Sequence, residues 1–109
     1  MDTFRKGYVY VRNIFAGIIC ETDEGYSFTY DKNYIKSEEA SAVSLTLPIT
    51  EETYNSKTLF SFFDGIIPEG WLLKVVSKNW KISTEDRFGL LLIACKDSIG
   101  NVSVRSDLL

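Results

Sequence analysis

Phe62-Phe63-Asp64-Gly65-Ile66-Ile67-Pro68-Glu69-Gly70-Trp71 is the stretch on which the reading of this chain turns. Leu59, Phe60, Phe63, Ile66 and Ile67 recur at helical spacing, and Gly65 followed by Pro68 breaks the period. Pro68 and Glu69 then suit the first turn of a new helix. There a missing N–H costs nothing, and a carboxylate meets the positive end of the helix dipole. A helix over 68–80 is expected, and at about 100° per residue its apolar stripe is Leu72, Leu73, Val76 and Trp80. Trp71 falls nearly opposite that stripe, beside Lys74 and Lys78, with Val75 at its edge. An aromatic on a lysine-bearing face is either covered by another part of the chain or reserved for a partner. Aromatic anchors dominate binding hot spots. The candidate partner-binding residues are therefore Trp71, Lys74 and Lys78, with Glu69 and Val75 beside them.

Working outward, the first third reads as β. Tyr8-Val9-Tyr10-Val11 is β-branched and aromatic, and a tight turn at Arg12-Asn13 leads to a second strand over 15–21. Asn13 suits a left-handed position. A turn over 22–25 leads to Tyr26-Ser27-Phe28-Thr29-Tyr30, three aromatics on one face and two hydroxyls on the other. Residues 31–42 read as a loop with one short helical turn. Val43-Ser44-Leu45-Thr46-Leu47 alternates again before Pro48 and is expected to be a fourth strand. A polar loop over 49–56 follows, with Asn55 or Ser56 capping the next helix.

Beyond the quoted stretch, Ser83-Thr84-Glu85-Asp86 reads as a helix start with a hydroxyl cap and an acidic first turn. Residues 88–94 are apolar on nearly every side, which predicts burial against sheet and helices alike. Gly89 within that run costs about 1 kcal/mol relative to alanine, with close packing against another backbone as the expected compensation. Gly100 precedes Val102-Ser103-Val104, a closing strand. The fold class expected is α+β: a small antiparallel or mixed sheet, a meander plus later strands, packed by about three helices in one domain over 1–109.

Composition excludes more than it assigns. The net charge of −3 argues against gripping a nucleic-acid backbone, which requires clustered Lys and Arg. Only Lys74, Lys78 and Lys81 approach a local patch. With no histidine, the chain lacks the commonest general base and the usual zinc ligand. Cys20 and Cys95 lie far apart and read as small buried apolar residues, with Cys95 on one helical face with Phe88, Leu91 and Leu92. Neither GxxxxGK[ST] nor GxGxxG occurs, and Lys96-Asp97-Ser98-Ile99-Gly100 is too slight to hold phosphates. Asp64, Glu69, Glu85 and Asp86 each suit a helix end or first turn, and Arg87 an internal ion pair or a solvated face. No catalytic residue, cofactor or metal site is expected, and the absence of a signal-peptide core or membrane-length apolar run points to the cytoplasm.

YVYVRNIFAG (8–17), YSFTYD (26–31), VSLTLP (43–48), FFDGIIPEGW (62–71), DRFGLLL (86–92) and KDSIGNVSV (96–104) together resemble the amino-terminal subdomain of HipA-type kinases. The resemblance covers nearly the whole chain, and its last three blocks in order are the most specific. It implies a small α+β unit that caps the N-lobe of a serine/threonine kinase toxin, one that phosphorylates an aminoacyl-tRNA synthetase and is bound by a helix-turn-helix antitoxin. The family's kinase continues past the position of Leu109, and everything that binds ATP lies in that continuation, so kinase activity is not implied. What is implied resembles HipS, the small stand-alone subunit of split HipBST systems, which neutralises a separate HipA-like (HipT-like) kinase. A HipB-like helix-turn-helix protein would complete the complex, with DNA contacted only indirectly. The competing expectation is a non-inhibitory subunit that completes the kinase N-lobe or bridges it to the repressor. An enzyme and a direct operator binder are both disfavoured by the composition.

Overall fold

The computed structural model describes residues 4–67, 69–81, 83–95 and 101–106, with positions 70–72, 76 and 80 described by their backbone alone. Five strands form one antiparallel sheet: β1 (Lys6–Val11), β2 (Ile14–Thr22), β3 (Gly25–Tyr30), β4 (Tyr54–Ser56) and β5 (Val102–Arg105), in the order β4-β3-β2-β1-β5. Helices α1 (Lys32–Lys36), α2 (Ser61–Gly65), α3 (Gly70–Trp80) and α4 (Arg87–Ala94) complete the α+β unit.

The meander follows from its turns. Arg12 and Asn13 both take positive φ, 50° and 65°, the backbone of a two-residue hairpin whose twist matches its strands. At the second hairpin Gly25 has φ +144°, and a Cβ built there would lie 2.2 Å from the Ser56 carbonyl oxygen. Only glycine lets β4 approach β3 at that point. The predicted closing strand is present as β5 and pairs with β1.

One sheet face carries the core. Val9, Ile19, Phe28 and Val104 are wholly buried, and Phe88, Leu90, Leu91 and Leu92 of α4 are at most 9% exposed. At about 1.5–3 kcal/mol per fully buried large side chain, α4 is the helix on which the core depends most. Phe63 and Ile67 come in from α2 and its exit, with Phe63 tilted against Phe28 and edge-on to Phe62.

The expected fourth strand at 43–47 is not one. The chain reverses there, closed by a Leu47 N–H to Ser44 carbonyl bond of 3.1 Å, and the Ser44 hydroxyl accepts the Thr46 N–H at 3.2 Å. That side chain offers the backbone a local alternative to a ladder. The place beside β3 goes to Tyr54–Ser56, within the stretch expected to be loop. Nor do Asn55 and Ser56 cap α2, whose N-cap is Phe60 with no side-chain bond. The middle of the connection over 37–53 is tied down by tyrosine hydroxyls, and its ends by Arg12 on the Glu39 carbonyl at 2.8 Å and by the Thr29 and Thr53 hydroxyls at 2.8 Å. Tyr34 accepts the Ser41 N–H at 2.9 Å and donates to the Ser41 carbonyl at 2.7 Å. Tyr30 accepts the Val43 N–H at 3.0 Å and donates to the Leu47 carbonyl, and Tyr54 donates to the Pro48 carbonyl at 2.7 Å. Burial raises the Tyr30 phenol above its ordinary pKa, so it stays a donor.

Candidate partner-binding surface

The quoted stretch folds as the end of α2, a short connection, and the start of α3, and one residue outside it holds these parts together. Arg87, first in α4, donates Nε to Asp64 Oδ1 at 2.7 Å and a terminal nitrogen to Glu69 Oε1 at 2.8 Å. The same nitrogen reaches the Asp64 carbonyl at 3.3 Å. The hydrogen bond from Asp64, then that from Glu69, raises the guanidinium's pKa. Both bridges are partly exposed, and such pairs contribute at most about 1 kcal/mol each. Their consequence is positional, because the exit of α2 and the N-cap of α3 share one guanidinium.

Asp86, the preceding residue, acts on the other side. It is the N-cap of α4, its Oδ1 accepting the Gly89 N–H at 3.1 Å. The expected hydroxyl cap at Ser83 is thus displaced three residues, and the Ser83 hydroxyl accepts only the Glu85 N–H. Both Asp86 oxygens also receive Arg5 at 2.9 Å, while Arg5 forks onto both oxygens of Glu21 at 2.9 Å and stands 5.5 Å over the Phe88 ring. Arg5 holds the carboxyls of Glu21 and Asp86 below their usual range, and their bonds raise its own pKa. Gly89 lies against this network: a Cβ there would sit 2.4 Å from Asp86 Oδ2 and 2.9 Å from an Arg5 nitrogen. The close approach that requires glycine is to these side chains, not to another backbone as expected.

These groups line an open cleft of about 640 Å³ between the sheet and the starts of α2 and α4. Arg5 with Glu21 and Asp86, and Arg87 with Asp64, satisfy one another across it. Asp64, Glu69 and Asp86 are therefore each engaged by an arginine. Among the described residues no group of three or more His, Cys, Asp and Glu is placed to hold a metal ion. Cys95 is buried, its thiol pushed up to about 11 by that burial and directed at the Ile66 carbonyl at 3.4 Å. Cys20 is only partly buried, contrary to expectation.

Helix α3 carries the candidate surface. It begins at Gly70, with Glu69 as N-cap, and ends where Lys81 turns left-handed at φ 55° and returns its N–H to the Ser77 carbonyl. Pro68, expected in its first turn, lies outside the described residues. Leu73 packs against the core, whereas Lys74, Val75 and Lys78 are exposed, Val75 by 40%. Helical spacing puts position 71 on the face of 74, 75 and 78. The side chains of Trp71, Leu72, Val76 and Trp80 lie outside the described residues. Glu69 is exposed but spends its carboxylate on Arg87. The internal ion pair expected of Arg87 is present, but sequence reasoning missed its partners and Arg5, and it assigned Leu45, 99% exposed at the tip of the 44–47 turn, to a strand.

No helix among the described residues is long and apolar enough to cross a membrane. The chain matches the family described as the HipA N-terminal domain over residues 7–105. It is similar to a protein of Haemophilus influenzae described only as uncharacterised, with 30% identity over 106 residues that make up 97% of this chain and 96% of that protein. Among solved structures it resembles the N-terminal domain of HipA toxin, with a TM-score of 0.72 and 25% identity over 99% of this chain and 97% of that one.

Proposed function

The chain belongs to the HipA N-terminal domain family, and we propose that it is a cytoplasmic antitoxin, a non-enzymatic module that binds and neutralises a HipA-like serine/threonine kinase in trans. One observation carries the reading. The fold that occurs as the N-terminal domain of HipA toxin fills 96% of the Haemophilus influenzae relative, so there it occurs without a kinase attached. A domain separated in this way retains the face its kinase would cover. The resemblance to the small subunit of split HipBST systems supplies the partners: a HipT-like kinase, and a HipB-like helix-turn-helix protein through which alone DNA is contacted.

Helix α3 is the contact surface in this reading. Trp71 is the anchor that enters a pocket on the kinase, with Val75 beside it. Lys74 and Lys78 meet acidic or phosphorylated groups at the pocket rim, where exposed charges chiefly accelerate and orient association. Glu69 acts through Arg87, fixing the start of the helix. Growth of bacteria expressing the kinase, with and without this chain, tests the role. Restored growth is expected, and Trp71→Ala should abolish it. Continued arrest with both proteins soluble would leave a non-inhibitory assembly subunit. Full rescue by Trp71→Ala would remove the anchor.

A further inference from the structure

From the 44–47 turn we infer a second contact for the same kinase: Leu45 is a preformed apolar knob that seats in an uncharged socket on that partner. This rests on the reading of the chain as a kinase-binding module. A singly exposed leucine is ordinary on a protein surface and by itself says nothing. Three features set Leu45 apart. Its neighbours Val43 and Leu47 are 6% and 4% exposed while Leu45 is 99% exposed, so the loop drives two apolar residues inward and turns the third fully out.

The mount is also fixed from both sides. The buried Tyr30 hydroxyl bonds both arms, to the Val43 N–H and the Leu47 carbonyl, and the Ser44 hydroxyl meets Thr46 Oγ1 at 3.0 Å within the turn. A side chain held out on such a base forfeits little freedom when it is captured, and that pre-organisation favours binding.

The surroundings are uncharged as well. From Ala40 to Thr50 the chain carries no acidic or basic residue. Beside the turn lies a dimple of about 220 Å³ lined by Thr46, Leu47, Ser56, Thr58, Leu59 and Phe60, again with no charge. The neighbouring cleft, lined by Arg5, Glu21, Asp86 and Arg87, is the opposite in character. Interface cores are depleted of charge, whereas their rims are not. A knob next to a dimple fits a folded surface that offers a socket and a filling side chain. The kinase is the occupant this points to, because the matched fold is by description the N-terminal domain of HipA toxin, and an N-terminal domain lies beside the remainder of its own chain.

Calorimetric titration of the purified HipA-like kinase with the full chain tests this, using wild type, Leu45→Ala, Leu45→Asp and, as an exposed control outside the patch, Glu24→Gln. Thermal melts should show all variants folded, since Leu45 makes no core contact. Expected are affinity losses of about tenfold for Leu45→Ala and about a hundredfold for Leu45→Asp, with the control unchanged. Wild-type binding matched by both Leu45 variants would overturn the knob and leave the kinase-binding function standing. No binding by wild type would overturn that function and the knob with it. If light scattering showed a dimer of this chain that Leu45→Asp dissociates while kinase affinity held, the occupant would be a second copy. Loss of affinity only for a helix-turn-helix partner would reassign the socket to that protein, and either result refutes the kinase assignment.

Discussion

Replacing Gly89 by alanine should destabilise this protein, although helix propensity alone gives the opposite sign. In a helix interior alanine is favoured over glycine by about 1 kcal/mol. Against that gain stands the 2.4 Å approach of the new Cβ to Asp86 Oδ2, a separation real Cβ atoms do not adopt, so the carboxylate must leave. Its departure removes the N-cap bond to the Gly89 N–H, worth about 1 kcal/mol. It also removes the two bonds from Arg5, a partly exposed pair contributing up to about 1 kcal/mol more. The sum is a net loss of about 0.5–1 kcal/mol, or roughly 2–4 °C in Tm at this chain length. Arg5 keeps Glu21, so no buried charge is stranded.

The sign should reverse in an Asp86→Ala background. There the cap and the ion pair are already absent, the crowding atom is gone, and the freed Arg5 side chain moves aside. Gly89→Ala should then stabilise by about 1 kcal/mol, the propensity gain alone. Urea denaturation of the four proteins measures both steps and their coupling, which is about 2 kcal/mol if the reasoning holds. Stabilisation by Gly89→Ala in the wild-type background would refute the crowding of Asp86, and equal effects in both backgrounds would refute the coupling.

Gly25→Ala combines φ +144° with a Cβ 2.2 Å from the Ser56 carbonyl, and should cost about 3 kcal/mol or more and expose β4 amides to hydrogen exchange. Lys81→Gly relieves a left-handed helix end at φ 55° and should stabilise by about 0.5–1 kcal/mol in thermal melts. Glu21 and Asp86 have lowered native pKa values, so their contribution is complete above the unfolded carboxyl range near about pH 4 and is lost as pH falls through the native values. Stability measured from pH 7 downward should fall below about pH 4, and Arg5→Met should flatten that limb; an unchanged limb would show that Arg5 does not set it.

The elements legible in the sequence are those whose determinants are local. The meander could be read because Arg12-Asn13 and Gly25 mark its turns and Tyr26, Phe28 and Tyr30 alternate between them. Helix α4 could be read because residues 88–92 are apolar throughout. Most of the failures required knowledge of distant partners. Val43–Leu47 has a strand's alternation, but the Tyr30 hydroxyl, thirteen positions before Val43, fixes it as a turn. β4 has only three residues and no apolar pattern, and exists because Gly25 admits it beside β3. Asp86 looked like a first-turn acid; it is the cap through its bond to the Gly89 N–H, and its further pairing with Arg5 from the other end of the chain lay beyond local reading. For the candidate surface, helical spacing placed Lys74, Val75 and Lys78 together on an exposed face. That Arg87 forms an internal ion pair was readable, but its partners were not, because Asp64 and Glu69 reach it only once three helices meet.

The two residues Asp86 and Arg87 divide the protein into parts that differ in how they are held. Behind them, α4 and the sheet share an apolar core whose large side chains are each worth more than any single surface bridge. In front, Leu73 is the one described α3 side chain packed on that core, and the start of the helix is fixed through Glu69 and Arg87. A helix fixed this way can be tilted by changes that scarcely affect global stability, since the polar bridges contribute little free energy and much of the geometry. That is a suitable property for a contact surface. Under the proposed role, the core keeps the fold intact while the brace sets the start of α3, so variation in Asp64, Glu69 and Arg87 should act on partner fit before it acts on folding.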